Sequence, residues 1–381
     1  MKVILEAQYA CTATPWGIPY YVIQLYSQLL TRNKNNYELT FFDFNKECNN
    51  LQYINKYFGE FKIPIHECNT LDYRVSISDS NAFSDISYND YTEAFGDIFH
   101  FAHLVSVPDN LQGRMVVTVH DLLPIKFPEF YSFKNVNDFK LNINRINKIQ
   151  PFVIVDSNST KNDVLQYVKI SPEKVYVVPL ACDTEQYNPV DDIAVLKNLN
   201  IDFPYLLYLG RLDVRKNVIR VLEAFESISE RISGVRLVIA GALDSGADEV
   251  KSKIRNSFCK SHIILTGYVT DKQKHALYSG ATAFLFPSLY EGFGLPILEA
   301  MTRGCPVITS NISSMPEVAG DAAILIDPYN TEQLAYEMER IVSSETLREE
   351  LKCKGLEQCK KFSWDKTAEM TENVYKNCML E

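Results

Sequence analysis

Residues 286–308 read FPSLYEGFGLPILEAMTRGCPVI. The apolar run that enters this stretch, AFLFPS, has strand length and stops at Pro287. Proline suits the first turn of a helix, so LPILEAMTRG is expected to be helical from Leu295 or Pro296, and CPVITS reads as the next strand. Strand, glycine-containing turn, helix and strand make one βαβ unit, and the same alternation runs through most of the chain. In the first half KVILEA, YELTFFDF, IFHFA, RMVVTVHD, FVIVDSN and KVYVVPL read as strands, with IPYYVIQLYSQLLTR as the first amphipathic helix. In the second half YLLYLGRL, VRLVIAG and IILTGYV precede the opening stretch and AILIDP follows it, with VIRVLEAFESI and KQKHALYSGA as helices. Residues 47–95, rich in Asn, Tyr and Asp, read as a short helix and an irregular loop.

A chain of 381 residues exceeds what one hydrophobic core usually supports. The pattern therefore predicts an α/β protein of two Rossmann-like, doubly wound domains facing each other across a cleft. The first is expected over residues 1–185, joined by a C-terminal helix over 363–381 that Ser363 caps; the second over residues 186–362. The hinge is placed at 181–192, where a strand gives way to a polar, proline-containing stretch. In open parallel sheets, ligands bind at the carboxyl ends of the strands, so motifs on strand-to-helix turns are the ones to read for chemistry.

Composition excludes several classes. Hydrophobic residues at 46% and charged residues at 23% are those of a folded globular protein. The net charge of −10 gives no reason to expect a nucleic-acid partner, and residues 1–185, with 16 Lys and Arg against 21 Asp and Glu, carry no polybasic block. The start MKVILEAQYA reads as a buried strand and not as a signal peptide, and no apolar stretch approaches the length that spans a membrane. Nine cysteines without a CxxC pair suggest reduced thiols in a cytoplasmic protein, with Cys11, Cys182 and Cys305 as space-filling residues near the motifs. No Asp-x-Asp metal motif stands out; the nearest analogue is the pair Asp191 and Asp192.

Within the opening stretch, Gly292 and Gly294 let backbone approach a ligand closely, and the free amides at the helix start favour an anionic or hydroxyl oxygen. Glu291 lies in the turn and Glu299 two helical turns further on, so the two carboxylates can grip different parts of one extended ligand. Read alone, Glu291 is equally a partner of the helix dipole and Glu299 a solvated helical charge.

The segment closely resembles the Glu-x7-Glu signature of retaining family 4 glycosyltransferases, whose two domains form the GT-B fold. YLGRLDVRKNV (208–218) is similar to that family's phosphate-binding segment, and VVPLACD to its strand before the hinge. The resemblance implies that Glu291 contacts hydroxyls of the transferred sugar and Glu299 the ribose of the nucleotide, with Gly292, Phe293, Gly294 and Leu295 forming the donor-binding turn. Arg211 and Lys216 lie just past a strand end, where two cations can meet a diphosphate in place of a metal; Arg215 leaves the choice of cation open. Gly17, in TATPWGIPYY, resembles the family's glycine-rich loop, with Pro19 standing where a second glycine is common. His120, in VVTVHDLLPIKFPEFY, is implied to sit near the anomeric carbon, while Asp121 either joins it or caps the next segment. Tyr268, after Gly267, falls where family members hold the base or is an ordinary loop tyrosine. Ser157 or Ser159, in DSNST, reads as a helix cap.

The function expected is hexosyl transfer with retention, from a nucleotide diphosphate sugar to a glycan or lipid-linked acceptor in bacterial surface polysaccharide synthesis. No cofactor or metal beyond that co-substrate is expected, and peripheral contact with the inner membrane face is. HDLLPIKFPEFY is similar to bacterial mannosyl- and rhamnosyltransferases, which favours GDP-mannose or a related donor; UDP-glucose and UDP-N-acetylglucosamine are the alternatives. A sugar-nucleotide epimerase, or a non-catalytic protein that binds nucleotide sugars, would share the same cleft.

Overall fold

The computed structural model describes all residues except 14–15, 43–49, 69–86, 105–106, 109, 183–188 and 243–245. Part of the sequence's hinge, of its 47–95 segment and of its Gly17 loop lies outside the described residues. The chain divides into two compact units, Met1–Leu180 with Ser363–Glu381, and Ala181–Phe362.

The first unit is a seven-stranded sheet in the order β3-β2-β1-β4-β5-β6-β7, with every neighbouring pair parallel. Its strands are β1 (Lys2–Glu6), β2 (Asn36–Phe42), β3 (Ile65–Cys68), β4 (Ile98–Phe101), β5 (Arg114–Val119), β6 (Phe152–Val155) and β7 (Val175–Val177). Central strands are buried along nearly their whole length, as expected of a sheet covered by helices on both faces. β3 is a strand that the sequence pattern did not reveal. It lies at the sheet edge, and its half-buried Ile65 and His66 and exposed Glu67 give no apolar run. The Phe133–Ile149 helix is likewise absent from the sequence reading, because asparagines dilute its apolar stripe.

The C-terminal helix, Trp364–Leu380, starts at Ser363, whose hydroxyl accepts the Lys366 amide at 3.3 Å. It packs in the first unit against the Ile18–Arg32 helix. Arg32 pairs with Asp365 and, at 3.1 Å, with Glu372, and the Thr367 hydroxyl donates to the Pro179 carbonyl at 2.8 Å. Tyr375 reaches the core, where its hydroxyl meets His100 Nδ1 at 2.7 Å. His100 Nε2 lies 2.9 Å from the Thr118 hydroxyl, itself 2.8 Å from the Tyr21 hydroxyl. This fully buried chain of polar groups ties helix, β4 and β5 together, and burial pushes the His100 imidazole down to about 3, so it is neutral.

The second unit is a six-stranded parallel sheet in the order β10-β9-β8-β11-β12-β13. Its strands are β8 (Tyr205–Leu209), β9 (Arg236–Ala240), β10 (Ile263–Gly267), β11 (Ala283–Phe286), β12 (Val307–Ser310) and β13 (Ile324–Ile326). Strand order reverses between β1 and β4 in the first sheet and between β8 and β11 in the second, and such switch points open crevices at the strands' carboxyl ends. At the second, Gly241 has φ +140°, and a Cβ there would run into the Gly210 carbonyl. Only glycine lets the turn after β9 close against the turn after β8.

Tyr375→Phe removes one member of the buried chain and leaves a ring nitrogen of His100 unpaired. It is expected to cost the first unit about 1–3 kcal/mol, measurable as an earlier urea transition.

Candidate active site

The second switch point is flanked by two loops, Gly210–Asn217 after β8 and Pro287–Gly294 after β11. A buried ion cluster joins them. Glu291, 9% exposed, places Oε1 2.6 Å from Lys216 Nζ and 2.9 Å from Arg215 Nη1. Arg215 also donates to the Tyr290 carbonyl at 2.9 Å, and its Nη2 lies 3.6 Å from Asp213. Asp213 caps the short turn Val214–Lys216 by accepting the Lys216 amide at 3.0 Å. Asn217, left-handed at φ 62°, donates to the Pro287 and Pro328 carbonyls at 3.0 and 2.8 Å, which pins the cation loop to the loops that follow β11 and β13. Lys216 Nζ also lies 4.8 Å from the centre of the Phe286 ring.

Burial works against the charge on Glu291, but Arg215 and Lys216 outweigh it and hold the carboxyl down to about 2. Lys216 is pushed below its usual value by burial, against the pull of Glu291. Arg211 is differently placed. Its side chain is 61% exposed and lies 3.7 Å from Asp213. Three cations against two carboxylates leave one positive charge in excess, a field suited to an anion.

The turn carrying Glu291 is fixed from below. The Ser313 hydroxyl donates to the Glu291 carbonyl at 2.6 Å, and Ser314, fully buried, lies 2.9 and 2.7 Å from the Glu291 and Phe293 carbonyls. Phe293 is buried against Phe362, with ring centres 5.8 Å apart. Gly294 has φ +109° and begins the Leu295–Thr302 helix, with Pro296 in its first turn; Gly292 and Leu295 are half-buried.

Glu299 is on that helix, and both its oxygens already have partners on the Asp271–Gly280 helix: Lys274 Nζ at 2.8 Å and the Tyr278 hydroxyl at 3.2 Å. Lys274 is 8% exposed in its side chain, and nothing in its sequence context marks it as a partner of Glu299. Tyr268 follows Gly267 past β10 and is 59% exposed. Among the described residues, no three His, Cys, Asp or Glu side chains gather as a metal site, and no helix is long and apolar enough to cross a membrane.

In the first unit, Gly17 (φ +64°) precedes the Ile18–Arg32 helix, and its carbonyl accepts the Tyr21 amide at 3.1 Å. His120 follows β5. Its Nδ1 lies 2.7 Å from Asp156 Oδ2 and its Nε2 3.1 Å from the Ala102 carbonyl. Two acceptors on one ring favour the imidazolium: burial opposes that charge, but Asp156 prevails and raises the pKa of His120 above its usual value. Asp121 accepts the Leu123 amide at 3.0 Å, a capping contact, and Ser157 caps the Asn158–Tyr167 helix. Asp156, Asp213, Asn217, Lys274 and Tyr278 were missed in the sequence. Only the Asp-x-x-Lys-Asn spacing of the cation loop carried a signal, that of an N-capped turn.

Two doubly wound parallel sheets, with a net-positive ion cluster at a switch point, define a protein of the GT-B class. Residues 192–358 form a domain that matches the family described as glycosyl transferases group 1. It is 29% identical over 308 residues to O-antigen chain mannosyltransferase B of Escherichia coli, covering 80% of this chain and 79% of that one. It is 31% identical over 295 residues to the serotype-specific mannosyltransferase WbdA of Escherichia coli, over 74% of this chain but only 36% of that longer one. HepE of Anabaena, solved in complex with UDP and glucose, superposes with a TM-score of 0.73 at 15% identity, over 99% of this chain and 100% of that one. Sucrose-phosphate synthase from Thermosynechococcus elongatus gives 0.74 at 18%, over 100% and 99%.

Glu291→Ala leaves Arg215 and Lys216 buried without their shared anion and is expected to destabilise the second unit by about 3–5 kcal/mol. The carboxyl ionises near 4.5 when unfolded and near 2 when folded, so its contribution is complete above pH 4.5 and disappears as pH falls towards 2. Acid titration of thermal stability should lose this component in Glu291→Gln.

Proposed function

We propose that this chain is a retaining glycosyltransferase that moves a hexosyl group, mannosyl from GDP-mannose first among donors, onto a glycan or lipid-linked acceptor in surface polysaccharide synthesis. The observation that carries this reading is the Arg215–Glu291–Lys216 cluster at the second switch point, with the Gly294 helix start beside it. The mannosyltransferase relatives favour the sugar and the pathway class.

The excess positive charge of the cluster, which Arg211 brings, would receive the diphosphate of the donor. Charge grows on the departing phosphate oxygen as the glycosidic bond breaks, so fixed cations help most in the transition state and do without a metal the work that a metal would do. Glu291, kept ionised, would accept hydrogen bonds from the sugar's hydroxyls, and Glu299 those of the ribose, with Tyr268 against the base. In same-face attack the acceptor oxygen bonds to the anomeric carbon as the diphosphate leaves, and the acceptor's proton passes to a phosphate oxygen. The chain needs no nucleophile of its own. On the same reading His120 and the backbone at Gly17, in the first unit, would take part in sugar recognition. An acceptor on a lipid would bring the enzyme to the inner membrane face as a peripheral protein, which co-sedimentation with acceptor-bearing vesicles tests.

Incubated singly with UDP-, GDP- and ADP-sugars in chelator, without acceptor, the purified chain is expected to release nucleoside diphosphate from one donor slowly. Glu291→Ala and Lys216→Ala should each abolish this. Release that needs an added divalent ion would refute the metal-free reading. Conversion of the donor sugar without release would mark an epimerase, and donor binding in calorimetry without any turnover a binding protein.

A further inference from the structure

Glu299 is held by two side chains of one neighbouring helix, Asp271–Gly280, which follows β10 and Tyr268 and so starts at the carboxyl edge of the second sheet. Thr270 caps that helix, and Gln273 completes a capping box by accepting the Thr270 amide at 2.9 Å. Lys274 comes directly after this cap, with 8% of its side chain exposed. Its ammonium lies 2.8 Å from Glu299 Oε1 and 3.4 Å from Asp271 Oδ1. One turn further along the same face, the fully buried Tyr278 donates its hydroxyl to Glu299 Oε2 at 3.2 Å.

Neither contact serves the helix that supplies it. A cation near the start of a helix opposes its dipole, and the capping box already satisfies the first amides. Nor does a buried ion pair secure the fold, because the lost hydration of the two ions largely offsets their attraction. Burial works against the charge of Lys274, but Glu299 and then Asp271 outweigh it and raise its pKa above the usual value. What the contacts do fix is the carboxylate. One donor on each oxygen holds the plane of Glu299 and leaves each oxygen a further lone pair. The Glu299 side chain keeps 21% of its surface exposed, so that capacity is open to a ligand. Two vicinal hydroxyls are donors at a fixed spacing, and they match the two oxygens of a carboxylate that does not turn.

We infer that Lys274, with Tyr278, is a positioning residue that sets ribose specificity: by fixing both oxygens of Glu299 it lets that carboxylate take the ribose hydroxyls of the nucleotide together and reject a nucleotide that lacks them. The role rests on the proposed reading of Glu299 as the acceptor of those hydroxyls. Lys274 touches no reacting atom and acts through Glu299. Without its two donors the carboxylate turns about its own bonds and has to be ordered by the ligand, which offsets part of what the hydroxyls contribute. A site held ready for hydroxyls discriminates against the analogue without them because its polar atoms are then covered unpaired.

The test is calorimetry of the full chain with GDP and with 2′,3′-dideoxy-GDP, the corresponding UDP and ADP pairs being run alongside, and it reads the ratio of the two affinities. Wild type should favour the ribonucleotide about 100-fold, about tenfold for each hydroxyl held by a carboxylate. Lys274→Met, uncharged and of similar length, should lower that ratio about tenfold while keeping a native circular dichroism spectrum, and Tyr278→Phe should lower it less. Added to Glu299→Gln, Lys274→Met should lower it no further, since both substitutions act on one interaction. A lysine with a structural role alone would weaken both nucleotides alike and leave the ratio unmoved. An unchanged or larger ratio in Lys274→Met overturns the inference, as does a wild type that binds both members of each pair equally; nucleotide binding then leaves the transferase reading standing. If Lys274→Met does not fold, Tyr278→Phe decides, and an unchanged ratio there overturns the role. No binding of any of the three ribonucleotides overturns the transferase reading and the inference with it.

Discussion

A carboxylate that must stay charged inside protein organises the second unit. Buried without partners, Glu291 would be driven towards the neutral acid, which accepts fewer hydrogen bonds from hydroxyls. Arg215 and Lys216 keep it ionised, and each of them must in turn be held. Arg215 is anchored by the Tyr290 carbonyl and Asp213, while the backbone of Lys216 is anchored by the Asp213 cap. The requirement spreads outwards from there. Asn217 has to adopt a left-handed conformation to tie the cation loop to its neighbours, Gly294 must turn the chain into a helix, and Ser313 and Ser314 must occupy the carbonyls beneath. Few of these residues touch the open side of the site, yet a loss at any one would loosen the geometry of the ion cluster.

The two switch points are built from the same topology and opposite electrostatics. At the second, arginine and lysine outnumber carboxylates. At the first, the charged pair His120 with Asp156 is closed on itself, because both imidazole nitrogens face acceptors. Burial drives Glu6, at the end of β1, and His103, two residues beyond β4, towards their neutral forms. The His120 cation is itself one cause of His103's neutrality, so the charged pair and the uncharged histidine are parts of one arrangement.

Much of the fold was legible because buried parallel strands leave continuous apolar runs. Twelve of these stand out in the sequence, and β3 does not, since this edge strand buries only Cys68 fully and carries His66 and Glu67. The C-terminal helix itself was legible in its Ser363 cap, whereas its packing against the Ile18–Arg32 helix is decided by tertiary contacts. The site was legible only as far as its loops. Glu291 could be singled out because a glycine turn and a helix start surround it, and its neighbours fix its surroundings locally. Which of Arg211, Arg215 and Lys216 would meet it could not be read, because successive positions of one tight turn point in different directions. The partners of Glu299 and His120 come from elements 25 and 36 residues away, and only the packing of the sheet and its helices decides them.

Those distant partners bear on how a ligand would enter. Lys216 already spends its charge on Glu291, and Glu299 accepts from Lys274 and Tyr278 before any ribose arrives. On the proposed reading the donor would therefore exchange partners and not fill vacancies. A diphosphate would draw on Lys216 while Arg215, buried and anchored, goes on neutralising Glu291; this division of labour requires two cations where one would satisfy the carboxylate. A ribose would have to compete with, or share, the Lys274 and Tyr278 contacts of Glu299. Each exchange replaces an existing hydrogen bond, so the net gain per contact is small for any ligand that matches only part of the site, and only one that satisfies the cations and both carboxylates together would be held firmly.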